Sequence, residues 1–498
     1  MTLPPTDSAA SAPNSNGVQR TFRPRAPAQA EEREWRHWFR EPAGDPRFPF
    51  ARRFLRRDLA HALQRAVPTD ARVLEVGSGT GDLLAALPNR ARTGIDYSPT
   101  AVAEAQKRYP DLEVGEGDAL SFHREERYDA IVADRLIHSV PDVQLLLENL
   151  SAHLAEHGRI FLTCYNYLWE SPLRLGERAG LRRATPPSNW LGETDLQNLF
   201  TIAGLEVVKY EDRLLMPAPV PVLAGLLNRY VAKLPLLNNL SLYRLYVLRK
   251  RATPGRATAP KVSVVVPARN ESGNITNIIE RTPVMGAGTE LIFVEGGSTD
   301  DTADAIDRAI ASYEGPLTLK RFTQTGKGKG DAVRLGFGQA TGDLLMILDA
   351  DLTVPPEDLP KFYDVMTSGM ADYVHGTRLV YPMEKDAMRF LNKLGNVAFS
   401  TLFSYLLNQS IKDTLCGTKV LWAADYARLA ANRSFFGDFD PFGDFDLIFG
   451  STKLNLKLLE IPVRYRDRTY GTTNISRFRH GWLLLRMSAL AARKLKFV

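Results

Sequence analysis

The sequence predicts an α/β protein with two domains, each built around a largely parallel β-sheet. Its 498 residues exceed what one ordinary hydrophobic core organises. In both halves short aliphatic runs alternate with longer helical patterns, which is typical of doubly wound α/β layers. A segment with two prolines and no periodicity separates the halves. We therefore expect a tail at 1–30, a first domain at 31–251, a linker at 252–260 and a second domain at 261–498.

Composition narrows the class of protein. Hydrophobic residues make up 44% of the chain and charged residues 24%, which excludes a disordered polymer, a collagen-like fibre and a coiled-coil rod. Cys164 and Cys416 lie far apart, which excludes a disulfide scaffold and a cysteine-built zinc site and fits a reducing, cytoplasmic compartment. The formal charge of +6 is too small to indicate a nucleic-acid partner.

The two ends of the chain have unusual compositions. Residues 1–30 are rich in Pro, Ala and Ser and lack an apolar signal region, so we expect a disordered tail. From Arg464 to Val498, nine Arg or Lys face one acid, Asp467, and apolar residues are interleaved with them. No apolar run reaches the roughly 18 residues that span a bilayer. This end predicts peripheral contact with an anionic membrane surface; a solvated helix capping the last domain is the alternative.

In the first half, Arg72–Val76, Tyr128–Val132 and Arg159–Thr163 are predicted to be buried parallel strands. The first runs into Gly77-Ser-Gly-Thr-Gly81, where glycines allow a sharp turn and a close approach to a ligand before a helix. Asp96 ends the next strand, where a carboxylate accepts hydrogen bonds from ribose hydroxyls. A dinucleotide site of the GxGxxG type would have glycine where Asp82 stands, so NAD is disfavoured.

This constellation resembles class I S-adenosylmethionine-dependent methyltransferases, with their Rossmann-like fold. The resemblance implies S-adenosylmethionine as cofactor. It implies that the glycine turn lies against its methionine part, that Asp96 binds the ribose, that Asp118 binds the adenine and that Asp134 to His138 face the methyl donor. His138 is a candidate base, or alternatively a structural histidine. The cofactor residues implied are Glu75, Gly77, Gly79, Gly81, Asp96, Asp118 and Asp134.

In the second half, Val262–Val266, Glu290–Val294 and Leu344–Leu348 are predicted to be buried strands. The last delivers Asp349 and Asp351, two carboxylates at i and i+2, to one strand end. Such a pair suits Mg²⁺ or Mn²⁺, which prefers carboxylates together with diphosphate oxygens. Two other segments also have aspartates at i and i+2 (the DxD pattern) but follow no predicted buried strand. They are Asp438-Phe-Asp440 and Asp444-Phe-Asp446.

Further segments of this half are similar to the GT-A fold of family 2 glycosyltransferases, especially the polyprenyl-phosphate branch. They are Gly376–Arg378, Asp413–Gly417, Ile461–Tyr465 and Arg468–Thr473. The resemblance implies a GDP- or UDP-linked sugar as donor, a polyprenyl phosphate or other lipid as acceptor, and Mg²⁺ or Mn²⁺ held by Asp349 and Asp351. The implied donor-binding residues are Pro267, Ala268, Arg269, Asn270, Glu271, Glu295, Lys329 and Asp331, and those for the acceptor phosphate are Arg378, Arg468 and Thr472. A solvated loop is the alternative for Lys327 and Lys329.

Two alternatives stay open for the second domain. A phosphate acceptor is already ionised and needs no base, whereas a hydroxyl of a glycan or glycolipid would need one, with Asp444 and Asp446 as candidates. The family usually has Asp-Asp-Gly-Ser where this chain has Glu295-Gly-Gly-Ser298. Gly296 cannot replace the second carboxylate, so a non-catalytic nucleotide-sugar-binding scaffold is also conceivable.

Overall fold

A computed structural model describes residues 49–180, 189–218, 220–251, 259–380, 390–433, 444–466, 468, 470 and 477–497. The expected tail at 1–30, most of the linker, Asp438, Asp440 and Thr472 lie outside these residues, and so does the side chain of Asp444.

The first described part of the chain forms a seven-stranded sheet in the order β3-β2-β1-β4-β5-β7-β6. Strands β1 to β5 pair in parallel, and β7 pairs antiparallel with both β5 and β6. The three strands predicted here are confirmed, because fully buried aliphatic runs favour a parallel sheet covered on both faces. The strands are β1 Val73–Val76, β2 Arg92–Asp96, β3 Glu113–Glu116, β4 Tyr128–Asp134, β5 Leu154–Tyr165, β6 Leu205–Arg213 and β7 Tyr243–Lys250.

Helices connect and cover these strands. Serine and aspartate caps start two of them, since the side chain of Ser98 accepts from Ala101 N and that of Asp142 accepts from Leu145 N. The α-helices are α1 Pro49–Ala66, α2 Asp82–Ala85, α3 Pro99–Arg108, α4 Val143–His153, α5 Glu170–Arg178, α6 Glu193–Ile202 and α7 Leu223–Arg229.

The second described part forms another seven-stranded sheet, in the order β10-β9-β8-β11-β13-β12-β14. It is mixed: β13 pairs antiparallel with β11 and β12, and the other neighbours are parallel. The three strands predicted in this half are again confirmed. The strands are β8 Val262–Ala268, β9 Thr289–Glu295, β10 Thr318–Thr323, β11 Leu344–Ile347, β12 Tyr373–Thr377, β13 Lys419–Trp422 and β14 Leu458–Pro462.

The helices of this second part lie on both faces of its sheet, and separate apolar clusters form against each face. They are α8 Ile275–Arg281, α9 Thr302–Ser312, α10 Lys329–Gln339, α11 Leu359–Thr367, α12 Phe390–Leu407, α13 Ala423–Ala431, α14 Asp444–Lys453 and α15 Arg477–Ala491. Within the described ranges, no helix is both long and apolar enough to cross a membrane.

Buried ion pairs join the domain built on the first sheet to the domain built on the second sheet. Arg159 of β5 and Arg249 of β7 each donate to a different oxygen of Asp372, at 2.7 Å. Asp372 is 8% exposed and also accepts from Lys457 N at 2.8 Å. Since every oxygen of this carboxylate is engaged across the contact, the two domains share a specific, desolvated interface.

Candidate active sites

The glycine turn lies between β1 and α2, at the carboxyl end of the first sheet. Gly77, Gly79 and Gly81 have φ angles of 77°, 54° and 74°, in the left-handed region that side chains rarely adopt. A Cβ on Gly77 would stand 3.1 Å from Leu136 Cδ1. The turn therefore requires glycine for its backbone and, at Gly77, for the close approach of the segment after β4.

Asp96, at the end of β2, holds this turn. One carboxylate oxygen accepts from Gly79 N at 2.6 Å and the other from Ser98 N at 2.9 Å. Burial raises the pKa of Asp96, and the two backbone N–H groups partly offset that shift. Each oxygen has a further lone pair, so Asp96 can accept hydroxyl hydrogens while it fixes the turn.

Glu75 has a buried acceptor that nothing in the described part of the chain satisfies. The residue is 3% exposed, and its Oε2 has no hydrogen-bond partner. Burial, reinforced by the neighbouring Asp134 carboxylate, raises the pKa of Glu75 well above its usual value. Unpaired buried acceptors are rare in folded proteins. An S-adenosylmethionine ammonium group carries the donors and the positive charge that this carboxyl lacks, so the residues present fit that cofactor.

The other carboxylates implied for this site have partners. Asp118 accepts from Leu120 N at 2.9 Å. Asp134 accepts from Thr163 Oγ1 at 2.6 Å and from the Arg135 guanidinium. Burial would raise the pKa of Asp134, but Arg135 and the threonine hydroxyl hold it below its usual value. The structure thus brings Glu75 and Asp134 together and leaves Glu75 the unsatisfied member.

His138 has backbone partners on both ring nitrogens. Its Nε2 accepts from Tyr165 N at 2.8 Å, and its Nδ1 lies 2.6 Å from the Asn189 carbonyl oxygen. The ring is buried and contacts Tyr165 and Trp190, with centroids 5.2 and 5.4 Å away. Because neither nitrogen is open to a substrate proton in this arrangement, the structure favours the structural alternative over the candidate base.

In the second domain, the predicted nucleotide-binding turn after β8 is locked to the turn after β9. Asn270 adopts a left-handed φ of 57°, its N–H donates to Ser298 Oγ at 3.0 Å, and its side-chain oxygen accepts from Thr299 N at 2.8 Å. Glu295 accepts from Ser298 N at 2.6 Å. The two strand ends predicted to bind the donor therefore form one rigid edge.

Gly296 stands in a crowded position on this edge. A Cβ there would meet Gln324 Oε1 at 3.2 Å, Arg269 Cβ at 3.4 Å and the Ala268 carbonyl oxygen at 3.5 Å. The aspartate usual in the family would need Gln324 to move. Gln324 thus lies in the space next to Gly296.

Asp349, immediately after β11, pairs with Lys329 at the start of α10, with Nζ 2.5 Å from Oδ1. Gly417 makes room for this carboxylate, because a Cβ on that residue would collide with it. Burial would raise the pKa of Asp349, but the Lys329 ammonium holds it below its usual value. The solvated-loop alternative is therefore wrong for Lys329, whereas Lys327 is exposed.

Asp351 belongs to a second ion pair. Its Oδ1 accepts from Thr353 Oγ1 at 2.8 Å, and its Oδ2 lies 2.6 Å from Arg468 Nη2. The same guanidinium reaches Glu271 Oε1 at 3.5 Å. Burial raises the pKa of Glu271 to about 7, against the lowering effect of Arg468. Arg468, predicted to bind acceptor phosphate, thus lies in one cluster with the predicted metal and nucleotide residues.

A divalent cation fits this cluster only if the substrate supplies ligands. The described residues contain no group of three carboxylate, histidine or cysteine side chains that could hold a metal. Mg²⁺ typically takes one or two protein carboxylates and completes its shell with phosphate oxygens and water. Asp349 and Asp351 match that donor set, and a metal–diphosphate would compete with Lys329 and Arg468 for them.

The guanidinium of Arg378 is engaged by a carboxylate, and its role at acceptor phosphate stays a prediction. Its Nε and Nη2 donate to the two oxygens of Asp413 at 2.6 and 2.8 Å, and the guanidinium lies 5.0 Å from the Tyr465 ring centroid. A buried bidentate pair of this kind costs several kcal/mol to break. Arg378 and Asp413 therefore form part of the wall behind the site.

The remaining predicted residues have local roles. Asp331 accepts from Gly326 N at 3.1 Å and closes the glycine–lysine loop on itself. Asp446, a candidate base, is buried and lies 3.5 Å from Arg334 Nη1 and 3.8 Å from Arg433 Nε. This pairing favours an ion-pair role over that of a base.

Several residues of the two sites were missed from sequence. Gly417 was included only as part of a matching segment, and its need to be glycine follows from contact with Asp349. The sequence pattern gives no role to Thr163 and includes Arg135 only within the Asp134–His138 segment, although both bind Asp134. A hydroxyl in the middle of an apolar strand was the available signal for Thr163, since buried polar groups find partners.

Family models match both parts of the chain. A model described as "Methyltransferase domain" matches residues 51–210, and one described as "Glycosyl transferase family 2" matches residues 263–423. The first match covers the glycine turn, and the second covers Asp349 and Asp351.

Curated relatives match the second half. The undecaprenyl-phosphate 4-deoxy-4-formamido-L-arabinose transferase of Serratia proteamaculans is 34% identical over 140 residues, 27% of this chain and 43% of the relative. Glycosyltransferase AglJ of Haloferax volcanii is 27% identical over 229 residues, 46% of this chain and 70% of the relative. The chain thus spans less than half the length of the first of these relatives.

Solved structures resemble each half at low similarity. A SAM-dependent methyltransferase from Thermotoga maritima, a possible histamine N-methyltransferase, is 16% identical and covers 41% of this chain and 93% of its own, with a TM-score of 0.32. Glucosyl-3-phosphoglycerate synthase from Mycobacterium tuberculosis, in complex with Mn²⁺ and UDP, is 21% identical and covers 47% and 80%, with a TM-score of 0.35. The two family models, together with the sheets and sites they cover, identify the chain as a transferase that joins a methyltransferase domain to a family 2 glycosyltransferase domain.

Proposed function

We propose that this protein is a bifunctional enzyme. The first domain transfers a methyl group from S-adenosylmethionine. The second transfers a sugar from a GDP- or UDP-linked donor to a polyprenyl phosphate, with Mg²⁺ or Mn²⁺. The observation that carries the second activity is the pair Asp349 and Asp351 beside Lys329 and Arg468 at the carboxyl edge of a family 2 sheet. The name of the Serratia relative, an undecaprenyl-phosphate transferase, supports the acceptor class.

The chain's own residues suit this chemistry. Asp349 and Asp351 would bind the divalent cation, which stabilises negative charge on the departing nucleoside diphosphate. Lys329 and Arg468 leave those carboxylates and become available to phosphate oxygens, which guanidinium and ammonium groups bind well. The acceptor phosphate oxygen forms the new bond to the anomeric carbon as the bond to the diphosphate breaks.

A phosphate acceptor also agrees with what the structure shows of Asp446, a candidate base. A phosphate monoester has a second pKa of about 6 and is largely ionised at neutral pH. The candidate base Asp446 is paired with Arg334 and Arg433. The hydroxyl-acceptor alternative therefore has no support from Asp446, and the side chain of Asp444 lies outside the described residues.

For the methyltransferase domain, the proposal depends on Glu75 and Asp96. The unsatisfied Glu75 Oε2 and the carboxylate of Asp96, which holds the turn, are acceptors that suit a cationic cofactor with hydroxyl groups. Asp96→Ala should weaken S-adenosylmethionine binding by roughly 1–3 kcal/mol through lost hydrogen bonds. Calorimetry with S-adenosylmethionine and NAD measures this, with Asp129→Asn, a change at the opposite end of β4, as control.

The test of the sugar transfer is a lipid-product assay. Purified protein is incubated with Mg²⁺ or Mn²⁺, GDP- and UDP-sugars and undecaprenyl phosphate, and the lipid fraction is analysed by mass spectrometry. We expect a sugar-linked lipid that Asp349→Asn abolishes and Asp343→Asn, at the other end of β11, retains. Product formation by Asp349→Asn would refute the metal assignment. Nucleotide-sugar binding by the wild-type protein without any lipid product would favour the non-catalytic nucleotide-sugar-binding scaffold instead.

A further inference from the structure

The chain between β6 and β7 exposes an unusual number of large apolar side chains. Leu236 is 82% exposed and Val222 is 78% exposed, and both have left-handed φ angles, of 71° and 62°. A branched side chain in that region strains the backbone. Other exposed apolar residues of this segment, which we call the apolar insert (residues 214–242), are Val220, Leu223, Leu226, Tyr230, Leu234, Leu237 and Leu240.

The exposed apolar residues of the insert lie in groups on common faces. Leu223, Leu226 and Tyr230 follow each other at helical spacing in and just after α7 and lie on one side of it. Trp169 Nε1 donates to the Leu240 carbonyl oxygen at 3.0 Å, which places exposed Tyr167 and Leu168 beside the far end of the insert. Contiguous exposed apolar surface of this kind marks an interaction site.

The apolar insert continues into the C-terminal end of the second domain. Arg229 Nε donates to the Phe497 carbonyl oxygen at 3.0 Å, and the rings of Tyr230 and Phe497 lie 5.9 Å apart. Tyr405 OH donates to the Lys233 carbonyl oxygen at 2.6 Å. Phe497 follows α15, the helix on which Trp482 is 72% exposed. Apolar residues of both domains, Tyr230 and Phe497, therefore meet at this edge.

Charge identifies what this surface fits. The sequence has no Asp or Glu between Asp212 and Glu271, and none after Asp467. Exposed cations, among them Arg229 and Arg493, lie along both segments. These two segments hold 17 of the chain's 63 Lys and Arg residues, whereas all 57 acids lie in the rest of the chain. Apolar side chains in segments whose only charged residues are cations complement an anionic lipid surface.

We propose that the apolar insert of the methyltransferase domain and the α15 end of the glycosyltransferase domain form one composite surface that binds an anionic bilayer. Leu226, Leu236 and Trp482 enter the interfacial region, and the bordering arginines contact lipid phosphates. The two domains would then lie side by side on the membrane. This goes beyond the proposed transfer reactions and stands or falls separately from them, because it concerns binding without donor or acceptor.

Vesicle sedimentation tests the proposal with the full-length protein. We expect binding to vesicles of equal parts phosphatidylglycerol and phosphatidylcholine, little binding to phosphatidylcholine alone, and about tenfold weaker partition for Leu226→Glu and for Trp482→Ser. That fold-change corresponds to removing one partly inserted apolar side chain. Ile202→Glu is the matched control, since Ile202 is 59% exposed near the opposite end of β6 and should bind like wild type. Thermal melting of each variant checks its fold.

Three outcomes would overturn the proposal of a composite membrane-binding surface. Loss of binding in Trp482→Ser with wild-type binding in Leu226→Glu would overturn the composite surface and leave α15 alone. Equal binding to both vesicle types would overturn the charge argument. A wild-type dimer that Leu226→Glu converts to monomer, without vesicle binding by either, would show that the surface contacts a second copy instead.

Discussion

The carboxylates of the two candidate sites differ in their ion pairing. In the methyltransferase domain Glu75 is buried with an unpaired oxygen and a raised pKa. In the glycosyltransferase domain Asp349 and Asp351 are each paired with a long basic side chain, Lys329 or Arg468. The first site is short of a positively charged donor, whereas the second already holds two. A cationic cofactor can complete the first site, but a metal–diphosphate must displace side chains from the second.

This difference has a simple physical origin. Glu75 lies on the central strand β1, where its register partners on β2 and β4 are Gly94 and Val132, neither of which carries a hydrogen-bonding side chain. Asp349 and Asp351 lie just past β11, where flexible side chains from a helix start and a distant loop can reach them. Opposite responses to charge removal are therefore expected at the two sites.

The largest expected effect concerns the contact that joins the two domains. Asp372→Asn leaves the buried guanidinium groups of Arg159 and Arg249 without their carboxylate, and we expect a loss of about 3 kcal/mol in the free energy of unfolding. Denaturant unfolding followed by circular dichroism measures it, with exposed Asp364→Asn as control. If the variant unfolds like wild type, the two sites do not share one interlocked scaffold.

The next prediction concerns the second site, where removing a charge should lower the stability of the protein, the opposite of what we expect at the first site. Lys329→Met leaves Asp349 partly buried without its cation, so the metal-free protein should lose about 1–3 kcal/mol of stability. Mn²⁺ with UDP or GDP should restore most of the loss, because a metal replaces the ammonium. Thermal melting with and without these ligands measures both, and Lys327→Met on the exposed part of the same loop should change neither. Destabilisation that ligands cannot reverse would contradict displacement.

At the first site, neutralising the carboxyl should have the opposite effect. Glu75→Gln should stabilise the cofactor-free protein at pH 7 by about 1 kcal/mol, the usual size of a single-residue effect, and weaken S-adenosylmethionine binding. Because the folded pKa is raised above 4.5, the wild-type penalty exists above that pH and disappears below it. Thermal melts at pH 4 and 7, with exposed Glu104→Gln as control, measure the sign. A destabilised variant would mean that the Glu75 charge is compensated after all.

The smallest effect is a pH dependence at the domain contact. Lys453 donates to the Arg65 carbonyl oxygen, and burial, with the nearby charges of Lys209 and Arg65, lowers its pKa from 10.5 to about 8. The unfolded chain binds more protons between pH 8 and 10.5, so stability should rise with pH across that window. Lys453→Met should show a smaller rise than Lys107→Met. Parallel pH profiles for the two would contradict the shifted pKa.

The sequence predicted what local pattern controls. Buried aliphatic runs placed six strands, and the glycine turn, Asp96 and the Asp349 pair were found at strand ends, where both sheets have them. It could not predict pairings made over long separations. Arg468 meets Asp351 from 117 residues away and Arg378 meets Asp413 from 35. A resemblance assigns such arginines to substrate, but only the folded chain shows which carboxylate already holds them.

Calorimetric titration of Mn²⁺ in the presence of UDP or GDP tests the second site most directly. We predict saturable binding of metal with the nucleotide to the wild-type protein, little binding of metal alone, and at least tenfold weaker binding to Asp349→Asn. Binding of equal strength to the variant, or metal binding indifferent to the nucleotide, would contradict a site in which two carboxylates and a diphosphate hold the cation together.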